Sequence, residues 1–151
     1  MIKLSGKARP SGKTRADGDG TKQRMVEAAL ETLAKEGYSG TTARRIADRG
    51  GFNAPLIFYH FGGVDPLLLA SLEVASERRL ERYKKAVEGI DDHAQLIETL
   101  AHLWSEDTKS AEIAAIVELV ATPGFLASRQ SAISNLLASW FTFAEEVIAH
   151  L

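Results

Sequence analysis

From residue 21 onward, apolar residues recur three and four positions apart, the period of helices that each bury one face. Val26, Ala29, Leu30 and Leu33 make the first stripe and predict a helix over 21–36, closed by Gly37, with Tyr38 packing back on it. Over 41–61 the pattern tightens into two short helices joined by a glycine turn, with Ile46, Ala47, Phe52, Ile57 and Phe61 as the apolar set between them. Thr41 or Thr42 can cap the first of the pair, because a hydroxyl there accepts a bond from an orphan backbone N–H. Gly50-Gly51 then stops it, and Asn53 caps the second, with Pro55 in its first turn, where a missing N–H costs nothing. Asp65 and Pro66 start a fourth helix that reaches about residue 88, followed by a fifth from Asp91 or Asp92 to about 105 and a sixth over roughly 108–121. Leu96, Ile97, Leu100, Leu103 and Trp104 share a sector of the fifth; Ile113, Ile116, Val117 and Val120 face in from the sixth. The last helix begins near 126 and carries Ile133, Leu136, Leu137, Trp140, Phe141, Ala144, Val147, Ile148 and Leu151, a stripe still running, and uncapped, at the final residue. A stripe that ends in mid-pattern implies a shortened chain or a second subunit as its partner.

Two helices joined by a short glycine-containing turn form the helix-turn-helix pattern, whose second helix enters the major groove of DNA. With Ile57 pointing inward and about 100° per residue, Pro55, Leu56, Phe58 and Tyr59 point away from the core. The competing reading is an ordinary helical hairpin whose outward residues are covered by another part of the chain.

Charge changes this picture. Residues 1–64 hold eleven Lys and Arg against six Asp and Glu, while 65–151 hold seven against fourteen, so a basic end sits on an acidic body within a net charge of −2. That asymmetry fits an end that meets a polyanion. Residues 1–20, with Lys3, Lys7, Arg9, Lys13 and Arg15 among Gly and Ser, read as a disordered basic tail. Ser11-Gly12-Lys13-Thr14 resembles the end of a phosphate-binding loop, but Lys7 stands where the loop requires glycine and no strand precedes it. The chain has no cysteine, which excludes disulfides and thiolate chemistry, and it has no apolar run long enough to span a membrane. Without a secretory signal, the expected location is cytoplasmic. Glu98, His102 and Glu106 recur every four residues, a spacing that suits a metal, but they lie opposite the apolar sector and read as a solvated face. Four histidines, no cysteine and no nucleophile–base arrangement argue against an enzyme, and no cofactor is implied.

The run 21–69 resembles the DNA-binding domain of the tetracycline-repressor (TetR) family of transcriptional regulators. An amphipathic helix ending in EGY, then TTARRIADRGGF, then LIFYHFGGVDPLLLA carries the likeness across three consecutive helices. The resemblance implies a dimer that places two recognition helices in successive major grooves of a palindromic operator. It puts Ala54, Pro55, Leu56, Phe58 and Tyr59 on the recognition helix and Arg44 where its fork can reach a guanine edge. Thr42, Tyr59 and His60 fall at positions that contact the DNA backbone. Two residues depart from the family pattern: Val64 stands where lysine is common and Phe58 where tyrosine is common, and both changes remove polar contacts.

The expected architecture is therefore all-α: a basic tail (1–20), a three-helix helix-turn-helix domain (21–65) and a helical ligand-binding and dimerisation domain (66–151). Trp104, Phe125, Trp140, Phe141 and Phe143 are the candidates for a pocket that takes a small lipophilic effector. The expected function is a repressor, a homodimer on double-stranded DNA, released by that effector. The alternative is a truncated helical interaction module that heterodimerises with a related regulator and binds DNA only weakly alone.

Overall fold

The computed structural model describes residues 13–125 and 130–149. The tail 1–12, the start of the last helix near 126 and its end at Leu151 lie outside the described residues, as do the side chains of Lys13, Arg15 and Ile133. Among the described residues there are seven helices and no strand: α1 (Lys13–Gly40), α2 (Ala43–Gly50), α3 (Pro55–Phe61), α4 (Val64–Val87), α5 (His93–Asp107), α6 (Ala111–Ala121) and α7 (Gln130–Ala149). The fold is all-α.

The first helix begins at Lys13, inside the stretch expected to be unstructured, because extending a nucleated helix by one residue costs far less than starting one. Gly37, at φ 67° and ψ 178°, breaks α1, and the remaining turn ends at Gly40. Of the two threonines that follow, Thr42 is the cap: its hydroxyl accepts from Arg45 N at 3.3 Å. Thr41 instead donates to the carbonyl of Gly37 at 2.6 Å. The fourth helix starts two residues earlier than its Asp-Pro signal indicated, so Asp65 lies in the first turn and the residue before the helix is Gly63. Asp92 does cap α5, accepting from Gln95 N at 2.7 Å.

One apolar cluster runs through most of the molecule. Met25, Ala29 and Leu33 of α1 meet Ile46 and Ile57 of the short helices, then Leu67, Leu68 and Leu72 of α4, and finally Ala115 and Leu119 of α6 with Phe125. The residues of the expected DNA-binding domain therefore share their core with α6. A smaller cluster of Tyr83, Leu103 and Phe143, flanked by Trp140 and Val147, holds α4, α5 and α7 together. Trp140 adds an indole N–H bond to Ser76 Oγ at 2.8 Å.

Two ionic ties brace α4. Arg78 bonds Glu27 on α1 and holds that carboxyl below the ordinary carboxylate range, against the upward push of partial burial. Buried Asp107, at the end of α5, accepts from Tyr83 at 3.0 Å and pairs with Arg79 at 3.2 Å and with Arg82. Those partners satisfy an anion that would be costly to bury alone.

The inward faces of the last three helices are narrower than the sequence indicates. On α5, Leu96 and Leu103 are buried, but Ile97 and Trp104, one position and 100° further round, are exposed. On α7, Leu136, Trp140, Phe143 and Val147 turn inward, while Leu137, Phe141, Ala144 and Ile148, again one position on, do not. On α6, Ala115 and Leu119 lead inward against α1, and Val117 is exposed. A helix that packs on one neighbour buries one stripe, and apolar residues outside it stay in solvent.

Candidate nucleic-acid interface

The α2–turn–α3 unit is built from local signals. Gly51, left-handed at φ 65°, ends α2 and donates its N–H back to Ala47. Gly50 admits no side chain: a Cβ there would stand 2.3 Å from the Phe52 ring and 2.9 Å from Ala28 Cβ, so α1, α2 and the turn meet at this point. Asn53 is not the side-chain cap that its residue type indicated. Ala54 already has helical dihedrals, no side chain caps α3, and the Asn53 carbonyl accepts from Leu56 N at 3.0 Å. Pro55 fills the first position of the helix.

Ile57 is fully buried and sets the rotation of α3. Phe58 is then 56% exposed and Tyr59 82% exposed, beside an exposed Pro55. Leu56 does not face outward as expected; it is half-buried against the main core, because α1 crosses close to that side. Ala54 and His60 are half-buried, and the His60 ring meets Tyr59 edge to face at 4.9 Å. Thr42, at the start of α2, is exposed.

The three arginines of α2 divide by their neighbours. Arg49 donates to the Glu31 carbonyl at 2.8 Å and to Glu36 at 3.2 Å, and Arg45 pairs with the other oxygen of Glu36. Both therefore hold α2 on α1. Arg44 has 90% of its side chain exposed and stands 3.9 Å from Asp48, one turn on along the same helix. That is a solvent-screened pair that a competing acceptor can replace. Val64, the departure at the start of α4, is half-buried against the main core and so contributes packing where a lysine would contribute charge.

Arg24 was missed by the sequence reading. It lies on α1 and, with Asp48, Asn53 and Leu56, lines a shallow hollow of about 490 Å³ against the turn. The only signal for it was its place on the polar face of the first helix, and it takes the crossing of α1 over the turn to bring it there.

The five aromatic residues proposed for a ligand pocket do not converge. Phe125 is buried in the main core, edge-on to Tyr38 at 6.1 Å. Trp104 is 68% exposed and Phe141 66% exposed, each just outside the stripe its helix buries. Trp140 and Phe143 pack together on Tyr83. Phe143 also floors a groove of about 390 Å³ with Val87, Ile90, Leu96 and Val147, where the ends of α4 and α7 meet the start of α5.

Residues 25–71 match the profile of bacterial regulatory proteins of the tetR family. That segment runs from the buried stripe of α1 through both short helices into α4, and so contains the surface of α2, the turn and α3 just described, though not Arg24. Over these residues the chain resembles the TetR family. Among curated relatives, it is 28% identical over 98 residues to the HTH-type transcriptional regulator BetI 1 of Chromohalobacter salexigens, covering 55% of this chain and 48% of that protein. It is 27% identical over 111 residues to the HTH-type transcriptional repressor NicS of Pseudomonas putida, covering 72% of this chain and 52% of that one. The chain thus spans about half the length of these relatives. In fold it resembles the multidrug binding protein EbrR, solved as a complex with imidazole, with a TM-score of 0.65 at 21% identity over 95% of this chain and 76% of that one.

Proposed function

We propose that this chain is a TetR-family, sequence-specific DNA-binding regulator that represses transcription from a palindromic operator as a homodimer. The observation that carries the reading is the outward face of α3. A seven-residue helix held by one buried isoleucine leaves Phe58, Tyr59 and Pro55 in solvent, and the Arg44 side chain on α2 is 90% exposed. Arg44 is suited to a guanine edge, Phe58 and Pro55 to thymine methyl groups, and Thr42, Tyr59 and His60 to phosphates. Leu56 and Ala54 serve the packing behind that face more than the face itself. The basic N-terminal third adds sequence-independent attraction to the duplex. Release by a small lipophilic effector belongs to the same proposal, with the groove over Phe143 and Val147 as its place. Cytoplasmic residence fits the absence of any single helix long and apolar enough to cross a membrane among the described residues.

The test is selection of bound duplexes from a random DNA pool at two salt concentrations. An enriched palindrome with two half-sites is expected. Single half-sites would remove the dimer from the proposal while keeping the reading face. Binding without enrichment that fades as salt rises would reduce the interaction to phosphate attraction and favour the helical interaction module.

A further inference from the structure

Two separate connections join the reading surface to the rest of the molecule. One is α4, which continues from α3 through Gly62 and Gly63, at φ 83° and 156°, with a bend of 64° between the helices. The other is the contact of the end of α1 with α6. There α6 comes so near that a Cβ on Gly37 would stand 3.1 Å from both carboxylate oxygens of Glu118. The next residue, Tyr38, sets its ring edge-on to Phe125, just beyond α6, with centroids 6.1 Å apart and planes at 72°. From the same ring the phenol donates to Asp65 Oδ1 at 3.2 Å, in the first turn of α4.

Gly62 and Gly63 have no side chains with which to hold the angle between α3 and α4, and both adopt dihedrals that glycine reaches at little cost. Contacts on either side of the pair must fix that angle. On the α3 side it is Ile57, sunk in the core. On the α4 side Val64, Leu67 and Leu68 pack into the same core, and the bond from Tyr38 to Asp65 adds a polar tie whose donor ring rests on buried Phe125, just beyond α6.

We infer that Tyr38 is a positioning residue that ties the first turn of α4 to the end of α6 and so sets the angle at which α3 meets DNA. This rests on the reading of α3 as the DNA-reading helix. A displacement of α6 then reaches α3 through Phe125, Tyr38 and Asp65, without passing along the length of α4.

Tyr38→Phe tests it, since the ring stays on Phe125 and only the hydroxyl is lost. Amide exchange at Gly62, Gly63 and Val64 should become about two- to tenfold faster, the span that a net hydrogen bond supports. Affinity for the duplex enriched from the random pool should fall by a similar factor, while affinity for a scrambled duplex of equal length and the melting temperature stay near wild type. A merely structural role would lower the melting temperature and weaken both duplexes together. Asp65→Asn keeps an acceptor oxygen and should retain most of the wild-type specific affinity. Asp65→Ala should behave as Tyr38→Phe does, and the double variant should be no worse than either. Wild-type exchange and wild-type specific affinity in Tyr38→Phe would overturn the inference. If the wild-type chain enriches no duplex, the reading of α3 fails by itself, and the exchange rates at the glycine pair alone decide whether the tie exists.

Discussion

Three arginines fall within six residues of α2, and only their neighbours tell them apart. Arg49 is mostly covered and bonds both a carbonyl and a carboxylate of α1, so Arg49→Ala should destabilise the fold by about 1–2 kcal/mol in denaturant unfolding. Arg44→Ala should leave stability unchanged, because its pair with Asp48 is exposed and loose. Its effect should fall on base preference, relaxing one guanine per half-site by about 1–3 kcal/mol, read by repeating the duplex selection with the variant. If Arg44→Ala selects the wild-type sequence, the guanine contact is wrong and the face reads DNA through its apolar residues alone. The sequence supported Arg44 only through resemblance, since nothing in TTARRIADRG itself says which arginine turns outward. The structure supplies the physical reason: Glu36 engages the other two.

At the scale of the element, what was legible was what is local. The break at Gly37, the stop within Gly50-Gly51, Pro55 in the first turn of α3 and a start at Asp91 or Asp92 depend on dihedrals and bonds within a few residues, and the sequence indicated each to that extent. Faces were legible for α1 and α2 and, through Ile57, for most of α3, where Leu56 packs inward instead of facing out. On α5 and α7 the apolar residues outnumber the neighbours available to cover them, so the sequence could not say which stripe turns inward. The packing of α6 on α1 is long-range and left no local trace. One consequence of how α4 meets α5 can be measured. Burial, and then the bond to Asp107, push the Tyr83 phenol from 10.0 up to about 12. The unfolded chain ionises this phenol first, so its contribution to stability is intact below pH 10.0 and is lost as pH rises toward 12. Over that window the wild type should lose on the order of 2 kcal/mol more than Tyr83→Phe. Equal losses in the two proteins would show that the phenol is not held against Asp107.

At the scale of the whole molecule, the unanswered surface is the outer stripe of α7. Leu137, Phe141 and Ile148 lie along one side of the helix, each one position beyond a residue that packs inward, with Ala144 exposed between them. Single exposed apolar residues are ordinary, but a row at helical spacing is the form of a helix–helix contact. A net charge of only −2 adds little repulsion against self-association. The homodimer proposed for operator binding therefore makes a separate prediction about these side chains. The chain should sediment with concentration-dependent association, and the double variant Phe141→Ser with Ile148→Ser should shift it to monomer at the same concentration. Because both side chains already stand in solvent, the melting temperature of the monomer should hardly change, which separates lost association from lost folding. The same variant should keep affinity for a single half-site and lose the extra affinity for two, since linkage through the dimer is what makes the second contact intramolecular. If wild type and variant are both monomeric at every concentration, the stripe does not join two copies of this chain, and binding to a palindrome would have to be explained by two heads that meet only on DNA.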